Sequence, residues 1–213
     1  MTTLKKGFTL IELLIVIGIL AILATTVVLV LNPAQILAET RDTQRLSDFD
    51  SIKSAIALWT STVVPAVGNS AFGTGGVCYT SLVSGATAGT APTLAECMPT
   101  GAGNYSSSTW TLLAVPYTYT APTGGAGSKL TNGTGWIPID FTPTSGGSPI
   151  PVLPSDPVNT QASGFFYNYF VNGSGQYETD AKLESTKYTA RMSVDGGNNN
   201  SRYEVGTNVQ IVN

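Results

Sequence analysis

The fold is decided by the stretch Lys5-Lys6-Gly7-Phe8-Thr9-Leu10-Ile11-Glu12-Leu13-Leu14-Ile15-Val16-Ile17, which opens an apolar run ending at Leu31. The run from Phe8 to Leu31 holds 24 residues, and Glu12 is its only charged residue. As a helix it would be about 36 Å long, which is enough to cross a hydrocarbon core of about 30 Å. Because Lys5 and Lys6 precede the run, we expect the N-terminus on the cytoplasmic side of the membrane.

Glu12 is the feature that a plain membrane anchor does not explain. An acid at the centre of a membrane helix costs about 2.5–3.5 kcal/mol, and such a residue usually has a function and a partner. No basic residue lies within the run. Cleavage after Gly7 would supply a partner, because Phe8 would then carry an α-amine that is protonated below a pKa of about 8. In one straight helix that amine lies a full turn from Glu12, so the pair could also form between neighbouring chains.

The sequence Lys-Gly-Phe-Thr-Leu-Ile-Glu-Leu-Leu-Ile-Val, which starts at Lys6, resembles the class III signal of type IV prepilins and type II secretion pseudopilins. The resemblance implies that a membrane peptidase cuts between Gly7 and Phe8 and methylates the new amine. It also implies that Glu12 pairs with the N-terminus of an adjacent subunit during filament assembly. Two alternatives stay open. A secretory signal peptide would have a shorter apolar core of about 7–15 residues, and a plain anchor would need neither Glu12 nor the Gly7–Phe8 junction.

Composition argues against several functional classes. The net charge is −3 and charged residues make up 11% of the chain, so the sequence has no basic footprint for nucleic acid. Histidine, the commonest general base and metal ligand, is absent, and no clustered pair of carboxylates is visible. We therefore expect no enzyme. Beyond an anchor and its helical extension, about 150 residues remain, which is enough for one small domain with a core.

The two cysteines, Cys78 and Cys97, suit an oxidising compartment. A disulfide between them would close a loop of about 20 residues and stabilise the fold by about 3 kcal/mol. Two free buried thiols are the alternative. Residues 65–109 around them have little secondary-structure signal and are rich in Gly, Ala, Thr and Ser. The resemblance to pilins implies that this segment is a surface-exposed loop between helix and sheet.

A second helical pattern follows Asn32-Pro33, where Pro33 predicts a kink. From Ala34 to about Thr62, apolar residues recur at spacings of three and four and predict an amphipathic helix with one core-facing stripe. The stripe consists of Leu46, Phe49, Ile52, Ile56, Trp59 and Val63. The charged residues are expected on a solvated face, with some pairing between subunits in a filament. They are Glu39, Arg41, Asp42, Arg45, Asp48, Asp50 and Lys53.

Strand patterns dominate the C-terminal half. Segments 110–120 and 135–142 predict short strands, the second interrupted by Pro138. Residues 164–184 predict a hairpin that turns at residues 172–175. The second hairpin strand alternates, which predicts one core face and one solvated face. The core face would be Tyr177, Thr179, Ala181 and Leu183, and the solvated face Glu178, Asp180, Lys182 and Glu184.

Two further stretches carry a weaker resemblance. Leu153-Pro154-Ser155-Asp156-Pro157-Val158-Asn159 resembles the Pro-x-Asp-Pro segment that leads into the sheet of major pseudopilins and related pilins. The tail contains oxygen donors on a glycine-rich loop, a composition that suits calcium, and major pseudopilins bind calcium near this position. The candidate ligands are Asp195, Asn198, Asn200 and Glu204. A plain polar turn is the alternative.

The predicted fold class is α+β, with a long N-terminal helix packed on a C-terminal antiparallel β-sheet. The helix would have a transmembrane half and an amphipathic half. Residues 1–7 would be the cleaved leader, 8–64 the helix, with 8–31 as the span and filament core, and 65–213 a β-rich head.

The resemblance implies a structural subunit that begins as a single-pass precursor in the cytoplasmic membrane and ends in an extracellular filament. Its partners would be identical or related pilin subunits, the prepilin peptidase and the inner-membrane assembly platform. No cofactor is expected apart from calcium. The head, rich in Gly, Thr and Asn, favours a type IV pilus. A type II secretion pseudopilin and a membrane-tethered binding module are the alternatives.

Overall fold

The computed structural model of the protein describes residues 7–63, 70–75, 77–82, 118–119, 128–160 and 163–211. Within these ranges it contains two long helices, five strands and two short 3-10 helices. In chain order the elements are α1 (Leu10–Leu31), α2 (Pro33–Val63), a 3-10 helix at Ser70–Phe72, β1 (Val77–Thr80), β2 (Thr118–Tyr119), β3 (Tyr167–Val171), β4 (Tyr177–Ala181), a 3-10 helix at Thr189–Ser193, and β5 (Tyr203–Gly206). The predicted α+β class is confirmed. Predictions for residues 1–6, for most of 65–109, and for 110–117 fall outside the described residues.

From Leu10 to Val28, helix α1 packs against no described part of the chain. Its stretch Leu10–Val28 is long and apolar enough to cross a membrane, and none of it is buried within the protein. Leu13, Ile17 and Leu20 are all more than half exposed. A helix that is apolar on every side must bury itself in something other than this chain, and lipid is one such environment.

Asn32 separates the two helices completely, so the predicted single helix over 8–64 with a kink at Pro33 is wrong in this detail. Asn32 adopts a left-handed conformation with φ 38° and is the C-cap of α1. Its carbonyl then accepts the N–H groups of Gln35 and Ile36 at 3.0 and 3.3 Å, which starts α2. Pro33 fits the first position of the new helix because no intrahelical acceptor is needed there. Asn tolerates the left-handed conformation better than most residues.

Helix α2 packs its predicted apolar stripe into the core of the head. Phe49, Ile52, Ile56 and Trp59 are nearly fully buried. The Phe49 ring lies 4.9 Å from that of Tyr167 on β3, measured between centroids. This one face therefore ties α2 to the sheet, as its periodicity predicts.

The sheet has the strand order β2-β1-β3-β4-β5. Strands β1, β3, β4 and β5 pair antiparallel, and β2 joins β1 in parallel. The predicted hairpin is β3–β4, with Tyr169 opposite Thr179. Its turn is held by Asn172, whose Oδ1 accepts the N–H groups of Ser174 and Gln176, each at 3.0 Å.

Residues 135–142 are buried, but they do not form the predicted strand. Trp136, Ile137, Ile139 and Phe141 are completely buried. Among the described residues, however, the segment forms an isolated bridge between Asn132 and Asp140 and no strand ladder. Pro138 has no N–H to give to a ladder. The apolar pattern thus predicts burial correctly and strand geometry wrongly.

Strand β4 is buried on both faces, contrary to the predicted solvated face. Glu178 is 1% exposed and Asp180 is 4% exposed. The Asp180 carboxylate pairs with Arg202, while Oε2 of Glu178 accepts the N–H of Ile211 at 2.8 Å. The C-terminal segment therefore covers the face that alternation assigns to solvent.

Candidate assembly site

The carboxylate of Glu12 lies at the start of α1 and closes a capping box with Thr9. Its Oε2 accepts the Thr9 backbone N–H at 2.9 Å and the Thr9 hydroxyl at 2.6 Å. In return, Thr9 Oγ1 accepts the Glu12 N–H at 3.3 Å. Two backbone N–H groups that would otherwise lack partners are satisfied in this way. Glu12 Oε1 has no partner among the described residues and stays open to another group.

The capping box is a signal that sequence reasoning missed. Thr9 and Glu12 stand three residues apart just before an apolar run, which is the sequence signature of this motif. The partner that the sequence predicts for Glu12 is the charged amine of Phe8. In the unprocessed chain, Glu12 has a local partner that is a hydroxyl and an amide rather than a cation.

Gly7 and Phe8 lie in open space ahead of the helix. A Cβ added at Gly7 would meet nothing within 4 Å, and the Phe8 side chain is 82% exposed. Nothing in the described chain therefore requires glycine at position 7 or covers the junction that a peptidase would cut. Their roles in cleavage and methylation stay predictions.

Two of the charged residues of α2, Asp42 and Arg45, are buried in an ion network, contrary to the prediction of a solvated face, whereas Asp50 and Lys53 are exposed as predicted. Arg45 is completely buried and donates to Asp156 through Nε at 2.6 Å and Nη2 at 3.1 Å. Its Nη1 donates to Asp42 at 2.8 Å and to Glu184 at 2.7 Å. Arg41 adds a bidentate pair to the same Glu184 carboxylate at 2.6 and 2.7 Å. We call these five residues, Arg41, Asp42, Arg45, Asp156 and Glu184, the head clamp.

The head clamp joins three separate parts of the chain. Asp42 Oδ2 accepts the N–H of Ser185 at 2.8 Å, so the segment that follows β4 is bound to α2. Asp156 Oδ1 accepts the N–H of Val158 at 2.8 Å, which shapes the Pro154–Pro157 turn before β3. Within the Pro-x-Asp-Pro resemblance, Asp156 therefore has a structural role: its carboxylate is part of the head clamp. Asp156 cannot be assigned to Arg45 from sequence alone, because the two residues are 111 positions apart.

Opposite charges hold the clamp together. Burial alone would lower the pKa of Arg45, but its hydrogen bonds to Asp156, Glu184 and Asp42 raise that pKa on balance. The hydrogen bond from Arg41 lowers the pKa of Glu184, against a smaller opposing effect of burial. Removing one partner would leave the others as unpaired buried charges, which is strongly destabilising.

The predicted calcium residues form a loop that is closed by backbone donors. The two carboxylate oxygens of Asp195 accept the N–H groups of Gly197 and Glu204 at 2.9 and 2.8 Å. Glu204 Oε2 accepts the N–H of Asn199 at 2.8 Å. In the described residues, no group of three or more His, Cys, Asp or Glu side chains could hold a metal ion.

The oxygens of this loop are already used by backbone donors. Both carboxylate oxygens of Asp195 and Oε2 of Glu204 accept N–H groups. Burial raises the pKa of Glu204, with the nearby Glu178 and Asp180 carboxylates adding to the effect. Calcium needs six to eight oxygen ligands, so the arrangement favours the polar turn.

The structure describes one of the two cysteines of the predicted disulfide. Cys78 is completely buried on β1, opposite Phe170 of β3. Cys97 lies outside the described residues. The Cys78–Cys97 bridge stays a prediction.

Residues 3–28 match the family model of the prokaryotic N-terminal methylation motif. This motif is the class III prepilin signal of type IV pilins and pseudopilins. The chain carries a prepilin signal. The match covers Gly7, Phe8, Thr9 and Glu12 and ends where the candidate span ends, at Val28. No curated protein and no solved structure matches the chain.

The motif supports a prepilin-type protein, similar to a type IV pilin or a pseudopilin. The family of the motif is structural rather than enzymatic. A prepilin signal implies processing by a prepilin peptidase and assembly at the membrane, and with one apolar helix it describes a membrane-anchored precursor. The match ends at residue 28 and does not include the head.

Proposed function

We propose that this chain is a structural subunit of a type IV pilus, which polymerises through α1 into an extracellular filament after cleavage between Gly7 and Phe8. The observation that carries the proposal is the prepilin motif on a helix that packs against no described part of the chain. Helix α1 is exposed from Leu10 to Val28, so it can pack first in lipid and later against the same helix of other subunits.

Glu12 supplies the directional contact in this mechanism. Before cleavage its Oε2 is occupied by Thr9, at 2.6 and 2.9 Å. Cleavage creates a protonated amine at Phe8, and a cation is a stronger partner for a carboxylate than a hydroxyl in an apolar environment. Oε1 is open to receive the amine of an adjacent subunit. Glu12 thus exchanges a neutral partner in its own chain, Thr9, for the charged Phe8 amine of an adjacent subunit. This exchange favours the assembled filament over the single subunit in the membrane.

A pseudopilin of a type II secretion system is the second candidate. The Pro154–Pro157 turn, with Asp156 in the head clamp at 2.6 Å from Arg45, supports it because that turn resembles the segment that leads into the sheet of major pseudopilins and related pilins. The poor calcium fit of Asp195 and Glu204 counts in the other direction. A membrane-tethered binding module that stays monomeric is a third hypothesis, and it would not depend on Glu12.

The test compares Glu12→Ala with the wild type in cells that assemble the filament. We expect membrane insertion and leader cleavage to persist, because Ala is compatible with an apolar helix, while filaments disappear from sheared surface fractions viewed by electron microscopy. Thr9→Ala is the matched control: it breaks the capping box at the same helix end but keeps the carboxylate, so filaments should remain. Abundant normal filaments from Glu12→Ala would remove Glu12 from assembly and favour the monomeric module.

Cleavage is tested separately at position 7. Gly7→Leu has room for its side chain in the structure, since a Cβ there meets nothing within 4 Å. We expect it to fold and insert but to keep the leader, which intact-mass spectrometry detects directly. A processed Gly7→Leu chain would contradict cleavage by a peptidase that recognises this glycine.

A further inference from the structure

A groove with a volume of about 400 Å³ lies where α2 and the 3-10 helix Thr189–Ser193 meet the edge of the sheet. It is lined by Asp50 and Lys53 of α2, by Arg191 of the 3-10 helix, and by the whole of β5, Tyr203–Gly206. The volume lies within the range of about 300–1,000 Å³ that is usual for ligand sites. The groove shares no residue with the head clamp or the capping box, so neither of these accounts for it.

One wall of the groove is the outer edge of β5, the last strand in the order of the sheet. In an antiparallel strand, the backbone groups of every second residue face the neighbouring strand. Thr207 donates its N–H to the Tyr177 carbonyl of β4 at 3.0 Å. Glu204, in contrast, donates its N–H to the Asp195 carboxylate at 2.8 Å. The N–H and C=O groups of Gly206 therefore point away from β4, and they have no hydrogen-bond partner among the described residues.

The charged side chains of the groove include two cations without an ion-pair partner in the described part of the head. Lys53 and Arg191 are both exposed, and neither donates a hydrogen bond through its side chain to a described residue. Asp50 is likewise exposed and unpaired within those ranges. The other two acids, Asp195 and Glu204, accept backbone N–H groups at 2.8 to 2.9 Å. A carboxylate that entered the groove would thus meet two free cations and one free acid.

An extended peptide would use both the strand edge and the cations. Edge strands pair with extended segments through main-chain hydrogen bonds, and the side chains around the edge give the specificity. The four residues of β5 span about 13 Å, so the paired segment would have about the same length. An acidic side chain on it can accept charge-assisted hydrogen bonds from Lys53 and Arg191. A free anion would use the cations alone and leave the Gly206 groups unpaired.

We propose that the groove between α2 and β5 binds an extended acidic peptide of another protein. The peptide pairs with the backbone of Gly206 and places a carboxylate between Lys53 and Arg191. This binding goes beyond the proposed function, because it requires the folded head but neither cleavage at Gly7 nor assembly through α1. A filament built through α1 would carry one such site on each subunit.

The test measures binding of the peptide Thr-Val-Glu-Val-Thr, with an uncharged fluorophore at its N-terminus and an amide at its C-terminus. Fluorescence anisotropy follows its binding to the full chain in detergent micelles. We expect saturable binding that weakens about tenfold when Gln replaces the Glu of the peptide. A peptide that is N-methylated on alternate residues cannot donate to a strand edge and should not bind.

Variants of the head test the two cations. K53Q/R191Q should weaken binding of the Glu peptide about tenfold, while D50N removes a nearby acid and should strengthen it. The matched control K129Q/K182Q removes the same charge from residues that do not line the groove, and its binding should equal that of the wild type. Hydrogen exchange locates the peptide, because the Gly206 amide should exchange more slowly when the peptide is bound.

Each of the other outcomes refutes the peptide site. Equal binding of the N-methylated peptide, or no protection of the Gly206 amide, would exclude strand pairing. If K53Q/R191Q binds as well as the wild type or better, the two cations only protect the edge from unwanted pairing. A peptide that does not bind at all would also refute the site. None of these results affects filament assembly, which the Glu12→Ala comparison tests independently.

Discussion

The two helices of this chain treat their charged residues in opposite ways. Helix α1 has one carboxylate, Glu12, on an exposed apolar surface, and its partner in the chain is the neighbouring Thr9. Helix α2 is rich in charged residues, and two of them, Asp42 and Arg45, are completely buried in contacts with distant parts of the chain. The stabilising partners of α2 lie inside the molecule. Those of α1, beyond a helix cap, must come from lipid or other subunits.

The largest effect should come from breaking the head clamp. Arg45→Met fills a similar volume but leaves Asp42 and Asp156 buried without their cation, which should cost about 3–5 kcal/mol of unfolding free energy. Urea unfolding of the full chain in detergent, followed by near-UV circular dichroism, measures this. Lys53→Met on the exposed side of α2 is the control and should change stability by less than about 0.5 kcal/mol. An unchanged midpoint for Arg45→Met would mean that α2 is not held by its charges.

A smaller effect should follow from the buried acid on β5. The raised pKa of Glu204 means that the folded chain keeps this proton up to about pH 9, whereas an ordinary Glu releases it near 4.5. The stability that it contributes is therefore complete below about pH 4.5 and is lost as the pH rises toward about 9.

Glu204→Gln stays neutral at every pH and keeps an acceptor for the N–H of Asn199. We expect it to be more stable than the wild type at pH 8, with a gap that widens from pH 5 to pH 9. Thermal unfolding across that range measures the gap. A difference that does not vary with pH would contradict a buried proton at this position.

The smallest effect should come from α1. Thr9→Val removes the hydroxyl from the capping box and should destabilise the first turn of α1 by about 1 kcal/mol. Hydrogen exchange at the amides of residues 10–13 in detergent should quicken accordingly. The urea midpoint of the head should not move, because the Leu10–Val28 stretch of α1 packs against no described residue of the head. A shift of that midpoint would show that the two helices are coupled after all.

The features of the fold that local periodicity or a short motif encodes are predicted correctly from the sequence. The apolar stripe of α2, the β3–β4 hairpin and the prepilin signal depend on local patterns, and the structure or the family model confirms each. The sequence predicts a kink at Pro33, whereas the structure has a complete break between the two helices one residue earlier, at Asn32. The cue for a full break is the asparagine, which accepts a left-handed conformation that ends one helix and lets the next begin.

The failures share a physical cause, since burial by distant segments leaves no local trace. Glu178 and Asp180 alternate like solvent-facing residues, yet Arg202 and the chain near Ile211 cover them. In the sequence, Arg45 has the pattern of an exposed charged residue on a helix. Its burial depends on Asp156, which is distant in the sequence and contacts it in the fold. Residues 135–142 have the apolar content of a strand but not its ladder, because Pro138 cannot donate. The Thr9–Glu12 capping box is different, because its signature was present in the sequence.

The most direct measurement of the central claim asks where the partner of Glu12 lies in an assembled filament. Filaments would be grown from a mixture of two batches of chain, one with ¹³C-labelled Glu and the other with ¹⁵N-labelled Phe, so that the two labels never share a chain. Solid-state NMR then tests for transfer between the Glu12 carboxylate and the Phe8 amine, which has a shift distinct from backbone amides. We predict transfer between the two labels in the mixed filaments. Transfer confined to filaments in which each chain carries both labels would show that Glu12 serves its own chain and would contradict the account.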